Sequence, residues 1–249
     1  MERIEWRVLG SELEASLEEL RLIRELRPPA NARVARPDRY VWLRKRGEGV
    51  VASTQPTAIG PIRSRRRAQL AARALQAGEL ERPSLALPRV RRRLVELADA
   101  RRYEDAARLR DRLQALERVC RELERLARLR AVARCIVAPA AEPGHARAFF
   151  IAGGRVAAER ALPPGGGAHL EIEAGLAAAR RALVSDTLGD LDELFLVGTF
   201  LRRPPPELTI VPLETQAILA AAKRCQTPAQ KRGTRRAALS ATAGAPRLF

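Results

Sequence analysis

The run LVELADARRYEDAARLRDRLQALERVCRELERLARLR, residues 94–130, carries the reading on which the fold turns. It predicts two helices. Leu94, Leu97 and Ala98 share a face of the first, which starts at Arg89, and Ala100 to Arg102 make a tight connection. The second helix runs from Tyr103 to about Arg130. Along it Ala106, Leu109, Leu113, Leu116, Cys120, Leu123 and Ala127 recur at alternating spacings of three and four, a heptad seam over about three repeats. A seam of this kind closes inside the chain's own fold, against a second copy, or against a helix of another protein, and spacing alone leaves the three open.

Upstream, residues 3–8 (RIEWRV) alternate Ile4, Trp6 and Val8 and predict a short strand. Ser11 precedes a helix with Glu12 and Glu14 in its first turn, where the helix dipole favours acids. Leu13, Leu17, Leu20 and Ile23 line one face, and Pro28-Pro29 ends it. Residues 40–44 and 48–53 predict two strands joined by the basic turn Lys45-Arg46-Gly47. Gly60-Pro61 breaks the chain, Ser64 caps a helix from Arg65 to about Gln76, and 77–88 reads as a linker.

Downstream, 132–138, 147–152 and 155–162 predict strands, the last two joined by the two-residue turn Gly153-Gly154. A Pro/Gly-rich loop at 163–168 leads to helices near 171–184 and 190–201, and 207–214 contains a closing strand. The last residues, basic and poor in large apolar groups, predict a short helix and then a disordered arm. The expected fold class is α+β, divided as 1–88, a helical hairpin at 89–130, a small α+β domain at 131–216 and a basic tail at 217–249.

Charge narrows the partners. The chain carries a net charge of +17. Residues 32–93 hold sixteen Lys and Arg against four Asp and Glu, and residues 215–249 hold seven against none. A field concentrated in this way calls for a partner of dense negative charge, first of all nucleic acid, although RNA or an acidic membrane would answer the same field. No run of 18 apolar residues exists to span a membrane, and MERIEWRVLG lacks the layout of a signal peptide, so a cytoplasmic protein with no membrane partner is expected. Cys120, Cys135 and Cys225 are scattered, which argues for buried free thiols over a disulfide framework or a Cys-based metal site. With only His145 and His169, histidine chemistry has little to work with.

Two stretches resemble a known family. SELEASLEELRLIRELRPPAN, residues 11–31, resembles the third strand and following helix of GIY-YIG nuclease domains of the UvrC type. The resemblance implies that Glu19 holds the divalent metal, Mg²⁺ or Mn²⁺, and that Asn31 is the family's asparagine. A hard cation of this kind takes oxygen ligands and neutralises a phosphodiester transition state. Without the resemblance, Glu19 is one of seven acids among 31 residues, a solvated charge on a helix face. RPDRYVWLR at 36–44 and GPIRSRRRA at 60–68 continue the likeness. The family's GIY and YIG strands and catalytic Arg would lie before Met1, so this chain alone is not expected to cut DNA.

Residues 94–117 are similar to the UVR motif, the hairpin through which UvrC docks on UvrB. The resemblance assigns partner binding to Tyr103, Glu104, Ala107, Leu109, Arg110, Asp111 and Leu113. Arg44, Lys45, Arg46, Arg63, Arg65, Arg66 and Arg67 are the candidate nucleic-acid contacts, the last four flanking a helix start where backbone N–H groups and positive charge favour phosphate. ELFLVGTFLRRP, residues 193–204, is similar to actinobacterial proteins that fuse an exonuclease, a GIY-YIG domain and a UVR hairpin. Two functions are therefore expected: a DNA-repair endonuclease of excision repair, inactive in this chain alone, or a non-catalytic DNA-binding adaptor. The adaptor would hold phosphates with 33–93 and 223–235 and recruit a helical partner through the hairpin.

Overall fold

A computed structural model of the chain describes residues 5–28, 40–184 and 191–226. The expected α+β class holds: among these residues, seven α-helices surround two small antiparallel sheets. Asn31, residues 3 and 4 of the first predicted strand, and 227–249 of the predicted arm lie outside the described residues.

Helix α1 (Glu12–Leu26) is built as its sequence predicts. The Ser11 hydroxyl accepts the Glu14 N–H, the Glu14 carboxylate accepts the Gly10 N–H at 2.9 Å, and Arg27 closes the helix in the left-handed region. The strand expected just before it does not form: residues 5–9 are irregular, and Trp6 is 83% exposed. Alternation without a neighbouring strand to pair with leaves such a segment in coil.

Three strands follow, β1 (Val41–Arg46), β2 (Gly49–Ser53) and β3 (Ile59–Ile62), in the order β2-β1-β3. Arg46 pairs with Gly49, so the turn is Gly47-Glu48, and Arg44, Lys45 and Arg46 lie exposed on β1 instead of forming the turn. Gly47, with φ +58°, supplies the left-handed residue a two-residue hairpin needs. Gly60-Pro61 does not break the chain but lies inside β3, an edge strand, where a missing N–H is tolerated. Helix α2 (Arg65–Ala72) stops short of Gln76. The predicted linker is ordered by two 3₁₀ turns, Ala77–Glu79 and Pro83–Leu85. There Arg89 binds the Glu79 carboxylate at 2.7 Å and holds its pKa below the usual value.

Helices α3 (Ala86–Asp99) and α4 (Tyr103–Arg130) form the hairpin. Its seam closes inside the chain: Val90, Leu113, Leu116, Val119 and Cys120 join Val41, Leu43, Val50, Ile62 and the Ala face of α2 in one core. The expected seam is widened and turned. Ala115, Val119 and Leu126 are buried while Ala127 is exposed, because α4 also packs on β3 and on a later helix, α6, and must bury more than one stripe.

The second unit is a three-layer sandwich. Strands β4 (Ala133–Pro139), β5 (Ala146–Ala152), β6 (Arg155–Leu162) and β7 (Thr209–Val211) run in the order β6-β5-β4-β7, with Gly153-Gly154 as the predicted turn. Side chains alternate across the sheet as period-two geometry requires. Cys135, Val137, Ala148 and Phe150 face α5 (Gly167–Val184) and α7 (Thr215–Gln226). Ile136, Ala138, Phe149 and Ile151 face α1 and α6 (Leu191–Arg202). Two expected groupings therefore change. Leu13 and Leu17 bind α1 to this sheet instead of to β1–β3, and Ile218, Ala221 and Ala222 make α7 part of the core instead of the start of a tail. The three cysteines are free thiols, and burial pushes Cys135 up to about 12. No helix among the described residues is long and apolar enough to cross a membrane.

Helix α4 joins the units. The Leu129 side chain lies where any Cβ on Gly198 of α6 would fall, 2.8 Å away, so glycine is what lets the two helices touch. Arg130 donates to the Gly60 carbonyl at 3.1 Å, and the Tyr40 hydroxyl donates to Asp192 at 2.8 Å.

Candidate nucleic-acid interface

The start of α2 is a built anion position. Ser64 caps it, accepting the Arg67 N–H, and the backbone N–H groups of its first turn carry the positive end of the helix dipole. The chain fills that position itself. Glu122 of α4 accepts the Arg63 N–H at 3.1 Å and the Arg67 guanidinium at 3.2 Å. Of the four arginines expected to grip phosphate here, Arg67 is thus paired, and Arg63 lies over the Phe195 ring at 4.0 Å. Arg65 and Arg66 are exposed and carry no ion pair among the described residues.

Opposite them, α4 presents Asp111, Gln114, Arg118, Arg121 and Arg125 at spacings of three and four, the period that aligns residues along one stripe. Arg118, Arg121 and Arg125 are exposed and have no ion-pair partner among the described residues. Two concavities open between this stripe and α2. One, of about 330 Å³, is lined by Arg66, Arg67, Asp111 and Arg118. The other, of about 490 Å³, is lined by Arg63, Arg67, Arg118, Arg121, Arg125 and Phe195. Arg67 and Arg118 belong to both, so the two form one basic groove. Arg118 and Arg125 stand about 10 Å apart along the helix at 1.5 Å per residue.

Glu19 lies on the exposed face of α1, as an unspecialised helix acid would. It lines a further cavity of about 350 Å³ with Leu20, Ile23, Arg63, Asp192, Phe195 and Leu196. Two carboxylates beside a guanidinium do not by themselves make a seat for Mg²⁺ or Mn²⁺. Among the described residues no group of three or more His, Cys, Asp or Glu is placed to hold a metal.

The hairpin residues divide. Leu113 is buried in the chain's own core and Leu109 packs against it. Tyr103, 67% exposed, and Glu104, Ala107, Arg110 and Asp111 face outward, with Val95 of α3 also exposed. Arg44, Lys45 and Arg46 do not line the groove.

Sequence reading missed Arg118, Arg121, Arg125 and Phe195. The arginine spacing was visible in the run 114–125, but which arginines lack an acid partner is settled by the fold, through contacts such as that of Arg67 with Glu122, 55 residues apart. Comparison with family models, curated proteins and solved structures finds no match in any of the three.

Proposed function

We propose that the chain is a DNA-binding protein of the DNA-repair type that holds the phosphate backbone in the groove between α2 and α4. The observation that supports this most directly is the row Arg118, Arg121 and Arg125, exposed and without acid partners among the described residues, in one groove with Arg66 of α2. Four uncompensated guanidinium groups along one groove repel each other, and a polyanion relieves that repulsion while releasing its own counterions. A row of about 10 Å spans roughly three phosphates of one strand at 3.4 Å each.

The adaptor is the reading this geometry supports best. The groove supplies backbone contacts, and the outward-facing Tyr103, Ala107 and Val95, beside the turn that connects α3 and α4, offer a small apolar face to a helical partner of the UvrB kind. Nicking of damaged DNA in excision repair is the second reading. It draws on the resemblance around Glu19 and on the position of that residue in a cavity sharing Arg63 and Phe195 with the groove. Titration of labelled duplex DNA at several salt concentrations tests the first reading, and binding that ignores salt would sink it. Incubation of nicking substrates with Mg²⁺ or Mn²⁺ tests the second, which survives only if cleavage appears and is lost in Glu19→Ala.

A further inference from the structure

We propose that the groove ends in a pocket for one unpaired, amino-bearing DNA base, with Phe195 as its stacking platform. This rests on the DNA-binding reading above and adds the kind of DNA preferred. The arginine cavity of about 490 Å³ and the Glu19 cavity of about 350 Å³ meet at Arg63 and Phe195, which line both. A nucleotide has the same two-part chemistry, an anionic backbone and a flat π-surface with polar edges.

The walls match each part. On the backbone side stand Arg118, Arg121 and Arg125. On the other side are Leu20, Ile23, Phe195 and Leu196, and the only charged groups besides Arg63 are the carboxylates of Glu19 and Asp192. Carboxylates accept hydrogen bonds and do not donate, so they select a base edge that carries an exocyclic amine: adenine, cytosine or guanine in preference to thymine. The Ser16 and Thr199 hydroxyls line the pocket as well, that of Thr199 donating to the Phe195 carbonyl, and two carboxylates beside apolar walls suit a base edge better than they suit phosphate.

The Phe195 ring is held ready. Tyr40 packs against it at 5.9 Å between centroids with 26° between planes, and Tyr40 is itself tied to Asp192 by the 2.8 Å hydrogen bond. The planar Arg63 guanidinium lies on the ring at 4.0 Å. A base entering the pocket takes that place on the ring, and Arg63 turns to the phosphate beside it. Both halves of the exchange are favourable in kind: base–aromatic stacking replaces a cation–π contact, and a charge-assisted hydrogen bond is gained. A base inside a duplex cannot make the exchange without leaving its stack, so the pocket favours DNA with an unpaired nucleotide.

The test compares a perfect duplex with the same duplex carrying one bulged 2-aminopurine. Wild-type protein is expected to bind the bulged duplex about tenfold more tightly, in line with stacking of one base on an aromatic, and to quench the aminopurine fluorescence. Phe195→Ala should abolish both the quench and the preference, the latter read as the ratio of bulged to perfect duplex affinity within the same variant. Phe195→Leu, which keeps the apolar packing, should do the same if the alanine variant folds poorly. Glu19→Ala should reduce the advantage of bulged adenine over bulged thymine several-fold. Equal binding of bulged and perfect duplex by wild type, or a bulge preference and quench that persist in Phe195→Leu, overturns the pocket and leaves the groove standing. Loss of all salt-sensitive DNA binding overturns the groove as well.

Discussion

Replacing Arg118, Arg121 and Arg125 together by alanine should change how DNA affinity depends on salt by a calculable amount. The groove presents four guanidinium groups without acid partners among the described residues: Arg66, Arg118, Arg121 and Arg125. If each neutralises one phosphate, log K falls against log salt with a slope of about −3.6 from the groove, at about −0.9 per phosphate. Removing three leaves about −0.9, a difference of about 2.7 in slope. Between 50 and 200 mM salt the groove's contribution then weakens about 3.5-fold in the variant, against about 150-fold in wild type. The difference is the quantity to measure, because basic residues elsewhere add equally to both proteins. All three side chains are exposed, so each substitution should change stability by no more than about 0.5 kcal/mol. Fluorescence anisotropy with a short duplex at five salt concentrations gives the slope. The double variant Arg180→Ala/Arg181→Ala, on exposed positions of α5 against the opposite face of the second sheet, is the control. If the triple variant alters the slope no more than this control does, the groove is not where DNA binds.

Three further outcomes test the packing and electrostatics that hold the groove in place. Leu116→Ala removes a fully buried side chain at the contact of α4 with the first sheet and should cost about 2–5 kcal/mol in urea unfolding. Gly175→Ala puts a Cβ 2.2 Å from the Phe150 ring, so α5 must back away from the sheet, and a loss of about 1–3 kcal/mol is expected. Glu159 has its pKa raised by burial, with Arg147 offsetting part of the effect. A carboxyl whose folded value is raised contributes stability below its unfolded value and loses it as pH rises through the folded one. Glu159→Gln should therefore melt with wild type near pH 4 and above it at pH 8. A lower melting temperature at pH 8 would mean that the Arg147 ion pair outweighs burial.

Much of the fold could be read from local pattern. The α3–α4 hairpin, the Gly153-Gly154 turn and the Ser11 and Ser64 caps follow from period, turn chemistry and capping, all decided within a few residues. What could not be read is assignment across distance. Trp6 and Val8 alternate like a strand, yet no strand among the described residues pairs with them. Pro61 looks like a stop, and it is tolerated because β3 has a neighbour on one side only. Helix α1 has an apolar face that would suit either sheet. It belongs to the second because Leu13 meets Ile136, Phe149 and Val197 there.

The candidate site was hidden for a related reason. In a chain with 46 Lys and Arg, basic spacing is everywhere and discriminates little. Pairing does discriminate. Arg89, Arg91, Arg92 and Arg93 form in sequence a basic run as dense as Arg63 to Arg67, but Glu79, Glu117 and Glu96 meet them in the fold. Arg118, Arg121 and Arg125 sit among four acids of α4, Glu117, Asp111, Glu122 and Glu124, and look compensated. The fold turns Glu122 toward α2 and Glu117 toward Arg91, and it leaves those three arginines exposed without an acid partner among the described residues. Basic spacing therefore points to α2 and α3 alike, whereas uncompensated charge points to the α4 side of the groove. Since a polyanion responds to the uncompensated part, the groove between α2 and α4 is the better candidate, although residues 94–135 are far less basic in sum than residues 32–93.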